Sequence, residues 1–160
     1  MQDLDRITGD EVIDDSAGPL AALVAFYRGF NGRDLAAVHD NWAHEEAVVM
    51  SNPLGGVRRG WRDIAEVYTR LFHGPAEVHV EFHDYASQIS EDMFCVAGRE
   101  SGWLRKDGEE ITLAIRTSRI YRRIDGQWKQ VHHHGSMDQP ELLARYQRAV
   151  LGGELKVPNP

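Results

Sequence analysis

The chain has 160 residues, 42% of them hydrophobic and 27% charged, which suits one compact globular domain that buries a core without disulfide or metal staples. No apolar run approaches the roughly 18 residues of a membrane span, so no membrane partner is expected, and a lone Cys95 cannot form an internal disulfide. The net charge of −7 is uneven, because residues 1–18 hold Asp3, Asp5, Asp10, Glu11, Asp14 and Asp15 against Arg6 alone.

This acidic start predicts a solvated, poorly ordered tail over 1–17, followed by a single domain over 18–151 and a second tail over 152–160. It lacks the basic residues and apolar stretch of a secretory signal, and a cytoplasmic location is expected. From Pro19, residues Leu20, Leu23, Val24, Tyr27 and Phe30 recur at helical spacing up to Asn31-Gly32. A shorter helix carries Leu35, Val38 and Trp42, and Ala47–Met50 reads as a strand that turns at Asn52-Pro53 and Gly55-Gly56. A third helix begins near Gly60-Trp61, turns Ile64, Val67, Tyr68, Leu71 and Phe72 inward, and stops at Gly74-Pro75. Arg58-Arg59 and Arg122-Arg123 are isolated basic pairs, not a stripe that tracks phosphates, so no nucleic-acid partner is expected.

Residues 76–88 alternate, with Val78, Val80, Phe82 and Ala86 on one face and Glu77, His79, Glu81, His83 and Tyr85 on the other. Strands over 92–105 and 110–124 join through Lys106-Asp107-Gly108, and a last strand over 127–135 follows the hairpin signal Asp125-Gly126. Asp138-Gln139-Pro140-Glu141 reads as a helix start with a carboxylate cap and Pro in the first turn, leading into Leu142, Leu143, Tyr146 and Val150. Helices followed by a meander predict an α+β domain, with a curved antiparallel sheet whose concave face holds the N-terminal helices. Such a cone is either filled by side chains or used for a ligand.

The last strand carries His132-His133-His134. Strict alternation puts His132 and His134 on one face with Trp128 and Gln130, and His133 on the other with Val131. A His-x-His pair can ligate a metal if a third ligand, such as His79, Glu81 or His83, lies on an adjacent strand of the same face. The preferred reading is a strand that lines a pocket, with no metal and no cofactor. Arg119 lies among Ile111, Leu113, Ile115, Thr117 and Tyr121 on a mostly apolar face and needs a partner there. Glu100, beside Phe94 and Val96, is the internal candidate; without it, Arg119 would clamp a carboxylate or enolate.

Ser118-Arg119-Ile120-Tyr121-Arg122-Arg123, then Asp125-Gly126-Gln127-Trp128 and Val131-His132-His133-His134-Gly135-Ser136, is similar to the association domain of calcium/calmodulin-dependent kinase II. With the order of elements, this pattern resembles the nuclear transport factor 2-like superfamily, including SnoaL-like cyclases, over residues 18–150. The resemblance implies that His133 faces into the cone, while His132 and His134 face outward or a dimer contact. Ala47–Pro53, with Gly60 opening a helix that carries Tyr68, looks like ketosteroid isomerase. Asn52, however, stands where that family has its carboxylate base, and Phe26 falls near its hydroxyl-bearing Tyr. An amide cannot relay a proton as a carboxylate does, which disfavours steroid isomerase chemistry.

These readings lead to a homodimeric small-molecule-binding domain with a partly apolar pocket and an organic ligand, an anion being one option. The tentative catalytic pair is His133 for acid–base work and Arg119 for an oxyanion, as in a cofactor-free isomerase, cyclase or dehydratase. Asn52, Tyr68, Trp42, Trp61, Glu100 and Tyr121 are the expected ligand contacts, although such aromatic residues are more often simply core. The alternative is a non-catalytic association module.

Overall fold

The computed structural model describes residues 4–152. Its helices are α1 (Pro19–Asn31), α2 (Leu35–Asn41), α3 (Gly60–His73) and α4 (Pro140–Leu151). Its strands are β1 (Arg6–Ile7), β2 (Val49–Ser51), β3 (Arg58–Arg59), β4 (Glu77–Ile89), β5 (Met93–Lys106), β6 (Glu109–Ile124) and β7 (Gln127–Ser136). They form one sheet in the order β1-β4-β5-β6-β7-β2-β3. The expected α+β architecture is present, but the sheet is mixed. Val49–Ser51 of β2 run parallel to His132–His134 of β7. A hairpin forces neighbouring strands to reverse, whereas β2 reaches β7 from the far end of the chain, after α1 and α2, without that constraint.

The concave face is built by alternation. Ile111, Leu113, Ile115, Thr117, Arg119 and Tyr121 of β6 are all buried, as are Phe94, Val96, Glu100 and Leu104 of β5 and Val78, Val80 and Phe82 of β4. Against them pack Leu20, Leu23, Val24, Phe26 and Tyr27 of α1, Ile64, Tyr68, Leu71 and Phe72 of α3, and Leu142 and Tyr146 of α4. Curvature comes from β5, which carries Gly98 and Gly102 on this inner face. A Cβ at Gly98 would meet Tyr85 Cβ at 2.5 Å, where a bulge between His83 and Ala86 crowds β4 against β5. At Gly102 it would overlap the His79 carbonyl oxygen. Only a residue without a side chain allows the two backbones to close so tightly.

The acidic start differs from the expected loose tail. Arg6 and Ile7 pair with His83 and Phe82 of β4, and Ile7 is fully buried. The Glu11 carboxylate accepts the Thr8 and Gly9 backbone N–H groups at 2.7 and 2.9 Å, and Arg28 donates to the carbonyls of Gly9 and Glu11, each at 2.7 Å. Charge composition alone overlooked one apolar anchor, Ile7, and one cation, Arg28, that hold this segment. Residues 1–3, and the expected C-terminal tail from residue 153 onward, lie outside the described residues. At α4, Asp138 does not cap the helix. The capping position is Gln139, with no side-chain bond, while Asp138 pairs with Arg116 Nε at 2.6 Å.

Replacing Gly102 with Ala forces the β4 and β5 backbones apart. Such overpacking is expected to cost at least about 2 kcal/mol, measured as a lower urea midpoint with an unchanged slope.

Candidate functional site

Arg119 sits near the middle of β6 with 2% of its surface exposed. Burial works against its charge, and Tyr27 and Glu100 offset that, so the guanidinium remains cationic. Nη2 donates to Glu100 Oε1 at 3.0 Å, Nη1 to Gln130 Oε1 at 2.7 Å, and Nε to the Tyr27 hydroxyl at 3.4 Å. The Tyr27 hydroxyl in turn donates to Glu100 Oε1 at 2.7 Å. Gln130 Nε2 and the Tyr121 hydroxyl then donate to Asn41 Oδ1 at 3.2 and 3.0 Å. The Phe26 ring lies 3.8 Å from the guanidinium carbon.

Gln130 reaches this network through a break in the alternation. Tyr121 pairs with Gln130 and Ile120 with His132, so Val131 is an extra residue in β7. This bulge resets the parity: Gln130 and His133, expected on opposite faces, both point inward and are buried. Val131, expected to share the inner face with His133, is the unpaired residue instead.

Beside the network lies a cavity of about 50 Å³. Phe26 and Phe30 of α1, Tyr68 and Leu71 of α3, the Asn52–Leu54 turn, Glu100, Arg119, His133 and Tyr146 of α4 surround it. The space suits a few water molecules and falls below the usual range for an organic ligand. Its polar surface is distinctive. His133 is 7% exposed, and neither ring nitrogen has a hydrogen-bond partner among the described residues. An imidazole always carries at least one donor, so a buried ring with both nitrogens unpaired bears a cost that a bound group relieves. Burial first, then the Arg119 charge and the flanking His132 and His134, hold its pKa well below the ordinary value of 6.5. His133 is therefore neutral at physiological pH. Burial likewise pushes the Tyr68 hydroxyl up, against the opposing pull of Arg119.

A wider, shallower groove of about 410 Å³ crosses the outer sheet face past Arg99, Arg116, Ser118 and His134. Its arginines are paired with Asp84 and Asp138, which leaves less there for a ligand to satisfy than in the inner cavity.

Comparison with known proteins agrees with this geometry. The SnoaL-like domain profile matches residues 20–140. The chain belongs to the SnoaL-like domain family. No curated protein matches it. Among solved structures, it is similar to a Thiobacillus denitrificans protein named as a calcium/calmodulin-dependent protein kinase type II association domain. The identity is 26% and the TM-score 0.62, covering 76% of this chain and 96% of the other. A Streptomyces avermitilis protein named as a dehydratase of the NTF2-like family gives 18% identity and a TM-score of 0.68, with 76% and 95% covered. A ketosteroid isomerase-like protein from Erwinia carotovora atroseptica gives 22% and 0.65, with 81% and 100% covered. The cone-like NTF2 fold is thus shared.

Within this SnoaL-like domain, the cavity brings together Asn52, Tyr68, Glu100, Arg119 and His133 of the expected site. Trp42, Trp61 and Tyr121 are not among its lining residues. Trp42 is buried core, Tyr121 is bonded to Asn41, and Trp61 lies against His39 and His44, with ring centroids 5.4 and 5.1 Å away. Asn52 uses Oδ1 to hold its own turn, accepting Leu54 N–H at 3.0 Å. Arg119 does not lack a protein partner, the condition under which it was expected to clamp an anion. The expected third metal ligands cannot reach the His triplet, because β5 and β6 separate β4 from β7, about 14 Å at the usual strand spacing. Sequence reasoning missed Tyr146, Tyr27 and Gln130. The helical spacing of Leu142 and Tyr146 announced an inward face for α4, but not where that face would land.

Substituting Glu100 by Ala strands a buried guanidinium and is expected to cost about 3–5 kcal/mol in chemical denaturation. His133 gives a pH signature. Its folded pKa is depressed, so the unfolded chain binds the extra proton and stability falls as pH drops below about 6.5. Relative to His133→Gln, the wild type is expected to lose stability more steeply there, by up to about 1.4 kcal/mol per pH unit, in denaturation curves across that range.

Proposed function

We propose that the cone binds a small, partly apolar organic molecule and that His133 is its central polar contact. The carrying observation is the buried imidazole of a cavity-lining residue, whose two nitrogens have no hydrogen-bond partner among the described residues. A neutral ring offers one donor and one acceptor, so it can orient a ligand and move a proton at neutral pH. The reading extends to cofactor-free proton transfer, of the isomerase, cyclase or dehydratase kind, with His133 as acid–base group. Arg119 then serves by holding Glu100 and Tyr27 in place, because three of its five N–H groups are already engaged. A ligand larger than the present cavity is admitted by a shift of Tyr146, the part of the lining carried on the C-terminal helix.

The 26% identity to a protein named as an association domain favours self-association, and we extend the proposal to a homodimer.

A thermal-shift screen with small aromatic and alicyclic fragments tests the site. Binding at a hundredfold excess over Kd adds about 2.7 kcal/mol and raises the Tm of the wild type. His133→Phe, which puts an apolar ring in the cavity, is expected to lose the shift. A fragment that stabilises both proteins equally counts against His133, and light scattering on the same samples at one chain mass counts against the dimer.

A further inference from the structure

From the charges around the cavity, we infer that it selects neutral, hydroxyl-bearing organic molecules over carboxylates, and that Glu100 Oε2 is the discriminating atom. The inference rests on the small-molecule reading above and adds the ligand's chemical class.

Arg119 and Glu100 are 2% and 4% exposed and form an ion pair at 3.0 Å, so the polar floor of the cavity has no net charge. Its two ends are unequal. The guanidinium is tied on three sides by Tyr27, Gln130 and Glu100. On the carboxylate, both protein donors, the Tyr27 hydroxyl and Arg119 Nη2, converge on Oε1. Oε2 accepts no hydrogen bond among the described residues, on a side chain that lines the cavity. A carboxylate oxygen is only an acceptor, so it welcomes a hydroxyl donor and repels a second anion, strongly where water is scarce. The remaining polar groups of the lining fit the same ligand. His133 is held neutral, so it brings no compensating positive charge, and Tyr68 and Tyr146 supply hydroxyls. A molecule with an apolar body and an alcohol, phenol or enol hydroxyl satisfies Oε2; a carboxylate of the same shape meets like charge.

Matched pairs decide the matter: phenol against benzoate and cyclohexanol against cyclohexanecarboxylate, titrated at neutral pH into the wild type and Glu100→Gln with protein-observed NMR. The wild type is expected to bind each alcohol about tenfold or more tightly than its acid partner. Gln at position 100 keeps an oxygen for Tyr27 and Arg119, turns an N–H donor into the cavity and leaves the Arg119 charge unopposed. The preference is therefore expected to reverse in that variant, which a purely structural role for Glu100 would not produce. A wild type that takes carboxylates as tightly as alcohols overturns the inference while small-molecule binding stands. An unreversed order in a folded Glu100→Gln overturns the role of Oε2. Absence of binding by every probe to the wild type, with the His133 ring signals unmoved, overturns the small-molecule reading and this inference with it. Should the variant not fold, the wild-type pairs still decide the selectivity.

Discussion

A guanidinium buried in the middle of a sheet must be answered from several elements at once, and Arg119 organises this domain through that demand. Its partners come from α1 through Tyr27, β5 through Glu100 and β7 through Gln130, and the chain of bonds ends on Asn41 of α2. Each partner is itself buried, so a missing member leaves an unsatisfied charge or amide in a medium that penalises both. The helices consequently have one seating on the sheet. The Val131 bulge belongs to the same solution, because without the extra residue Gln130 would face outward.

The second constraint is curvature. Gly98 and Gly102 let β4 and β5 approach along the inner face, and the sheet bends around the helices instead of lying flat beneath them. Bending leaves a space that Phe26, Phe30, Tyr68 and Tyr146 narrow without filling. His133 opens onto that space. The energetic tension sits in the imidazole, while the ion pair beside it is largely satisfied. This difference separates the bonded Arg119–Glu100 pair from His133, whose ring nitrogens have no partner among the described residues.

The chemistry differs from a pocket designed around a free cation. The positive charge is neutralised internally, the histidine is held neutral by burial and by that same charge, and the carboxylate keeps one oxygen open. Asn52, where the isomerase pattern has a carboxylate, spends its side-chain oxygen on its own turn. The carboxylate that lines the cavity is Glu100, carried by β5.

Much was legible in the order of residues because it depends on local periodicity. The helix from Pro19, the helix from Gly60, the odd-numbered inner face of β6 and the Asp125-Gly126 turn follow from spacing and turn chemistry, whereas the inward His133 is implied by the family resemblance. What the sequence could not reveal depends on contacts between distant segments. The parallel seating of β2 on β7, the docking of Arg6–Ile7 on β4 and the approach of Tyr146 to the cavity are decided by where elements land after the chain has crossed the domain. The Val131 bulge lies between these cases. One extra residue leaves no mark in a strand's composition, yet it turns Gln130 from the outer face to the inner one. By itself, the sequence determined the inward faces of α1, α3 and β6 and that Arg119 needed a partner. The tertiary structure decided which partners it has, and that the His133 imidazole, unlike the guanidinium, is buried without a partner among the described residues.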